Sequence, residues 1–566
     1  MRRWICVAMG LLMVGCAEKA PPAAGPQVRL SEDSIRAHLT ALSSDDMMGR
    51  GTGQWGGDQA SQYIAERFEV YGLDPVNDIY YQSVPMVGYT TDPNTVKLSF
   101  SGPQGQLEAP YLDGFVLNAG DPEATSASGS AELVFVGYGI NAPEANWNDF
   151  AGVNVRGKYL LILVNDPPAP PDEPDLFGGR AMTYYGRWTY KWEEAGRQGA
   201  LGALIVHETE PAGYPWSVVR GGRSGEQFSL RKAANAPPTA GMLGWVTQEV
   251  ASNLLALNGL SFDSLKAAAG RRGFAAVSTG VRATASLTAT QRPVETRNVI
   301  GVVPGKTAPT EFVMFTSHYD HLGVGAPVDG DSIYNGAYDN ASGIAVLLEM
   351  ARAFMTLSED ERPARSVLFM ATGAEEQGLL GSTWYTRAPL FWPYNTVAEV
   401  NLDGANLWGE TDDVTILGEE RSGLGAFARA RAAEAGLTIV PDPEPEKGSF
   451  FRSDHFPFAK LGIPSLYVQH GIDYRGKPEG WGKQLQDEYT AQHYHQPSDE
   501  FSEEFTFDGA IQHALLTWRI IYDLAQDTTW PNWNDGQEFK AARDSMMQVK
   551  DSTLAARDTA ATAGGM

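Results

Sequence analysis

Phe312-Val313-Met314-Phe315-Thr316-Ser317-His318-Tyr319-Asp320-His321 is the stretch on which the fold turns. Its first half is a short apolar run of strand length, and three ionisable side chains follow where that strand should end. Downstream, Tyr338-Asp339-Asn340-Ala341-Ser342-Gly343 opens a run with Ile344, Val346, Leu347, Leu348, Met350 and Ala351 at helical spacing. Two further apolar strands follow. Ser366-Val367-Leu368-Phe369-Met370-Ala371-Thr372-Gly373-Ala374-Glu375-Glu376 ends in paired carboxylates, and Ala398-Glu399-Val400-Asn401-Leu402-Asp403-Gly404 ends in one. Strands alternating with helices over 294–532 predict an α/β domain, its central sheet mixed and mostly parallel, with flanking helices.

Outward from that core the texture changes. Residues 31–84 carry two helical patterns (Ile35, Leu39, Leu42; then Ala60, Tyr63, Ile64, Phe68, Tyr71) around the loop Gly49-Arg50-Gly51-Thr52-Gly53. From 85 to 293, short β-rich runs such as 131–136, 158–164 and 203–206 alternate with Gly, Pro and Asp turns, and 192–199 reads as a helix. The expected organisation is an α/β body of 31–84 and 294–532 interrupted by a β-rich domain at 85–293. Residues 533–566 are rich in Ala, Asp, Thr and Lys and read as an exposed helix or flexible tail.

The N-terminal residues bear on the compartment. Arg2 and Arg3 precede an apolar run too short to span a bilayer, which is the pattern of a signal peptide. Leu12-Met13-Val14-Gly15-Cys16 looks like a bacterial lipobox, so residues 1–16 are expected to be a lipoprotein signal with lipid on Cys16. Residues 17–30 then form a tether, and Ala17 after the cysteine points to the outer membrane. The expected site is thus the bacterial cell envelope, with an N-terminal lipid as the membrane contact. Cys6 and Cys16 are the sole cysteines, so the mature chain has no disulfide. A net charge of −26 argues against nucleic-acid binding.

Nine histidines are spread over the chain, which makes their company with carboxylates at strand ends informative. His318 suits a metal ligand and Asp320 the carboxylate that orients it, since a ligating imidazole usually donates its other N–H. Asp339 is open to two readings, a metal ligand or the cap of the following helix. Of Glu375 and Glu376, one could hold metal while the other addresses water, because neighbours on an extended chain face opposite ways. Asp403 and His493-Tyr494-His495-Gln496-Pro497-Ser498-Asp499 complete the set, with His493 a rival to His495. His321 is read as ordering the loop rather than binding metal.

In this order the motifs resemble the M28 zinc peptidases, over about residues 39–524. The segment 42–51 is similar to the subgroup with a protease-associated (PA) insert, of which 135–140 and 155–158 look like recognisable pieces. The resemblance implies two zinc ions per chain. His318 and Asp403 would hold one, Glu376 and His495 the other, with Asp339 bridging; Glu375 would be the general base and Asp320 the orienter of His318. Arg452, Ser453 and Asp454 resemble the segment that faces substrate. The implied activity is aminopeptidase action on peptides, with the insert as a lid or a protein contact. A carboxypeptidase or dipeptidase of the same family is the main alternative, for which Arg220, Arg223, Arg231 and Arg452 are available. A glutaminyl cyclase or an inactive binding protein would be expected to lack part of the ligand set.

Overall fold

The computed structural model describes residues 26–232 and 236–564, so Cys16 and its expected lipid lie outside the described residues. Helix α1 (Glu32–Leu42) starts at Ser31, whose hydroxyl accepts from Ser34 N, and it buries Ile35, Leu39 and Leu42. Helix α2 (Trp55–Tyr71) buries Ala60, Ile64 and Phe68 and stops at Gly72. There a left-handed φ of 81° lets the glycine N–H reach Phe68 O and Glu69 O. His38 joins the two helices, its ring nitrogens each 2.7 Å from a hydroxyl, Tyr63 on one side and Tyr71 on the other.

The body is one sheet. Its strands are β1 (Tyr81–Thr91), β2 (Val277–Val303), β3 (Ala308–His318), β4 (Arg365–Thr372), β5 (Thr396–Leu402), β6 (Asp413–Leu417), β7 (Thr438–Val440) and β8 (Ser465–His470). The order across the sheet is β7-β6-β8-β5-β3-β4-β2-β1. The centre, β8-β5-β3-β4, is parallel, and the strands flanking it are antiparallel to it. Helix α3 (Gly343–Met355), with Ala345, Leu347, Leu348 and Phe354 all fully buried, joins Val313, Phe315, Phe369 and the buried faces of α1 and α2 in one core. Helix α4 (Asp508–Gln526) adds Trp518 and Ile521 to the same cluster. Parallel strands covered on both faces favour apolar runs, as 312–315 of β3 and 367–371 of β4 show, while β5 interrupts its run with buried Glu399 and Asn401. Their carboxyl ends open at one edge, where open α/β sheets collect functional groups.

Residues 97–288 build a second sheet, with a parallel run 126–135, 159–163, 202–207 and 242–247, and helices at 188–197, 248–256 and 262–269. The expected domain boundaries do not fall where composition changes. The cut at 84/85 lies inside β1, and that at 293/294 lies inside β2, a continuous 27-residue strand. Its C-terminal part pairs with β4 and its N-terminal part with 126–135 of the inserted sheet, so one ribbon belongs to both. The tail also differs from expectation. Helix α5 (Lys540–Gly564) is anchored at its start: Arg543 is fully buried and donates to Thr396 O (3.1 Å) and Val397 O (3.2 Å), while Trp533 Nε1 donates to Gly462 O at 3.0 Å. The anchors are isolated side chains without periodicity, which is why composition reads the segment as loose.

Candidate metal centre

Strand ends bring the candidate ligands together. His318 closes β3; its Nδ1 faces the backbone oxygen of Asp320 at 3.1 Å, and a carbonyl only accepts, so Nδ1 carries the proton. The lone pair on Nε2 then points at Asp403 Oδ1 (3.0 Å) and Asp339 Oδ1 (3.4 Å). His495 Nε2 stands 3.1 Å from Glu376 Oε2 and 3.3 Å from Asp339 Oδ2, with no hydrogen-bond partner. Asp339 thus offers one oxygen to each imidazole. At these separations each imidazole nitrogen and the oxygens it faces need a proton or a metal ion between them. Although burial opposes it, the carboxylates of Asp403 and Glu375 hold His318 well above its ordinary range, and the carboxylates of Glu376 and Asp339 overcome burial at His495 to push it to about 11. Nitrogen and carboxylate donors in this arrangement fit a divalent metal such as zinc.

Two groups of donor atoms meet the spacing for a metal: His318, Asp339 and Asp403; and His321, Asp339 and Glu376. They share Asp339. His321, expected only to order its loop, therefore lies in the cluster. It is fully buried, its Nδ1 is 2.7 Å from Glu376 Oε1, and its ring packs 5.6 Å from that of His495. His493 is turned away, with Nδ1 3.1 Å from Ser498 O.

Asp320 departs from its expected role. Its carboxylate does not reach His318; it accepts from Thr52 Oγ1 and from Glu375 N, each at 3.0 Å. The chain leaves the strand after His318, so the two-residue alternation does not extend to Asp320. Its backbone carbonyl orients the imidazole, and its side chain fixes the Glu375 backbone. Glu375 follows Ala374, a non-glycine at φ 58°, and His495 itself stands at φ 59°. Strained residues of this kind gather at functional sites. Burial, and then the negative charges of Glu376, Asp403 and Asp454 against the favourable His318, keep the Glu375 carboxyl well above the usual range.

Asp339 does not cap α3. Asn340 Oδ1 does, accepting from Gly343 N at 3.0 Å and also from Gly404 N at 2.8 Å, which ties the Asp403 turn to the helix. The Asp339–Asn340 peptide bond is cis. Asp499, the last residue of the Tyr-His-x-Pro-x-Asp stretch, accepts from Tyr338 N (3.0 Å), Asp339 N (3.1 Å) and Tyr489 OH (3.0 Å). Its role was not read from sequence, because two of its three partners are backbone groups far away in the chain. The expected substrate segment is mostly buried: Ser453 Oγ donates to Asp403 Oδ2 at 2.7 Å, and Asp454 accepts from Ser382 Oγ (2.5 Å) and from Thr372 Oγ1. Arg452 alone is exposed, bonding Lys447 O at 2.8 Å.

The chain is 39% identical over 109 residues to mouse Aminopeptidase NAALADL1, covering 19% of this chain and 13% of that one. It is 27% identical over 262 residues to Aminopeptidase YwaD of Bacillus subtilis (45% and 50%). It is 32% identical over 183 residues to the Glutamate carboxypeptidase 2 homolog of Caenorhabditis elegans (31% and 21%). The matches therefore span half or less of these relatives. Residues 298–519, which contain every donor of the two groups, match the profile of peptidase family M28, and the chain carries a domain of that family.

Proposed function

We propose that the chain is a zinc-dependent exopeptidase that releases residues from the free N-terminus of peptides. The observation that carries this reading is Asp339 shared between two donor groups, with His318 Nε2 and His495 Nε2 each facing two carboxylates and Glu375 beside them. In this reading His318, Asp339 and Asp403 hold one zinc, and Glu376, His495 and Asp339 hold a second. His321 steadies Glu376 through its 2.7 Å contact. Bound zinc would supply Lewis acidity, polarising a carbonyl and acidifying water. Glu375 takes the proton of the attacking water and returns it to the departing amine, a role for which a raised carboxyl is suited. Asp320 and Ser453 keep Glu375 and Asp403 in place.

The relatives named aminopeptidases support the end attacked, and the one named a carboxypeptidase keeps a second reading in view. One observation favours that second reading. Arg220 and Arg231 pair with Asp113 and Glu123, whereas the charges of Arg187, Arg452 and Arg223 all act on Tyr214 and none of the three forms an ion pair with a carboxylate among the described residues. Planar guanidinium groups of this kind suit a peptide carboxylate. Location belongs to the same proposal. The signal-like N-terminus supports a lipid-anchored protein of the cell envelope, and no helix among the described residues is long and apolar enough to cross a membrane. The inserted sheet resembles a PA domain and stands as a lid or protein contact.

The test uses the purified chain, zinc-loaded, with a short peptide carrying a free or an acetylated N-terminus, followed by mass spectrometry. Stepwise loss from the free N-terminus alone, stopped by chelator, is the expected result. Loss from the C-terminus, or equal cleavage of the acetylated peptide, moves the assignment to the carboxypeptidase reading.

A further inference from the structure

Beneath Asp403 runs a chain of buried polar groups in which the count of protons fixes the state of a residue that no substrate reaches. Glu399 and Asn401 lie two apart on β5 and so share a face; Thr316 on the adjacent β3 lies between them. Glu399, Asn401 and Thr316 are fully buried, and Ser453 nearly so. A ligating Asp403 is ionised and only accepts, so Ser453 Oγ, 2.7 Å from Oδ2, spends its one proton there. Ser453 then accepts from Asn401 Nδ2 at 2.8 Å, which sets the amide orientation. Asn401 Oδ1 consequently faces Thr316 Oγ1 at 2.7 Å and takes the threonine proton.

Thr316 has no second proton to give, yet its oxygen is 2.6 Å from Glu399 Oε1. Two oxygens at that distance need a hydrogen between them, and only Glu399 can bring it. The surroundings agree. Glu399 forms no ion pair with a cation among the described residues, and the other hydroxyl facing it, Ser465, donates to Ile463 O at 3.0 Å. Burial pushes its carboxyl up to about 8, and the nearby Asp454, itself bonded to Thr372 and Ser382, opposes ionisation as well.

We infer that Glu399 is a positioning residue held as a neutral carboxylic acid, which through Thr316, Asn401 and Ser453 fixes the orientation of Asp403 in the metal centre. The inference rests on the reading of Asp403 as a zinc ligand. It adds a polarity to the network: every hydrogen bond from Glu399 to Asp403 runs toward the carboxylate, so the buried acid delivers donors to the ligand while adding no charge to a site already rich in carboxylates.

The experiment measures zinc affinity of the full chain by competition with a chromogenic chelator, alongside infrared spectra of the carboxyl region. Thr316→Val breaks the relay and is expected to weaken zinc binding about 10- to 100-fold, the usual cost of losing a group that orients a ligand. Thr316→Ser keeps the hydroxyl and restores affinity. Glu399→Gln replaces the acid by an amide that donates equally well, so affinity stays near that of the unchanged chain while the infrared band of a protonated carboxyl disappears. Glu399→Gln losing zinc as severely as Thr316→Val would show an ionised glutamate and overturn the inference. So would unchanged affinity in Thr316→Val, or no protonated-carboxyl band that depends on Glu399. Asp403→Asn with undiminished zinc affinity would instead overturn the ligand reading, and the relay with it.

Discussion

At the scale of single residues, Glu375 and Glu376 are neighbours with opposite duties. Glu376 is engaged by two imidazoles, His321 at 2.7 Å and His495 at 3.1 Å, which hold its carboxylate down at about 2 against the cost of burial. Glu375 has no such ion pair among the described residues, and burial with its acidic neighbours keeps it high. Glu375→Gln should therefore lower kcat by about 10²- to 10⁴-fold, the range of a general acid–base group, and leave bound zinc unchanged. Zinc content by elemental analysis decides it: metal lost from Glu375→Gln but kept in Glu376→Gln would mean the two roles are exchanged. The pairing itself was legible, because adjacent carboxylates at a strand end face different ways. What the pair meets was not, since His321 reaches Glu376 only through the curl of the chain after β3. Asp320 shows the same limit: the motif was visible, but the orienting atom is a backbone oxygen, and backbone atoms leave no mark in a sequence.

At the scale of elements, the loop between α1 and α2 is held by Arg50, whose φ of 51° is itself uncommon. Its guanidinium is fully buried and meets four backbone oxygens: Tyr319 (2.7 Å), Leu42 (2.7 Å), Asn335 (2.5 Å) and Gly336 (2.8 Å). These oxygens belong to the end of α1, to the turn after His318 and to the approach to Asp339, so one side chain spaces the segments that carry these two candidate ligands. Burial lowers Arg50 to about 10, which leaves it charged near neutrality. A lysine has a single nitrogen and cannot serve four carbonyls set around a planar fork. Arg50→Lys should cost about 3 kcal/mol or more, since each stranded buried carbonyl costs about 1–3 kcal/mol; urea unfolding measures it. A loss below about 1 kcal/mol would mean that water replaces the clamp. Sequence showed the Gly49-Arg50-Gly51 loop and its two helices with correct faces, but the partners of Arg50 are again main-chain atoms, distant and unmarked by residue type.

At the scale of the molecule, strand-end chemistry was readable because β3, β4 and β5 are predominantly apolar and are followed directly by ionisable residues. The junction of the two sheets was not, because β2 crosses it without a turn and composition changes only gradually along a ribbon. That continuity has a thermodynamic consequence. The inserted sheet and the body share β2, and a cluster of Tyr184, Phe451, Phe456 and Phe539 packs across their seam, with ring centroids of Tyr184 and Phe456 5.2 Å apart. The sheets should then unfold together. The proposed zinc binds the donors gathered in the folded chain and not the same residues scattered along the unfolded one, so it stabilises the native state by linkage. At free zinc about 1,000 times its dissociation constant the gain is about 4 kcal/mol, and at about 1 °C per kcal/mol for a chain of this length unfolding as one unit, chelation lowers Tm by about 4 °C. Calorimetry should show one transition that moves as a whole when chelator is added and returns with zinc. Two transitions, only one of them shifted, would mean that the shared strand and the aromatic seam do not couple the insert to the metal centre. An unshifted Tm would count against a structural contribution from zinc at all.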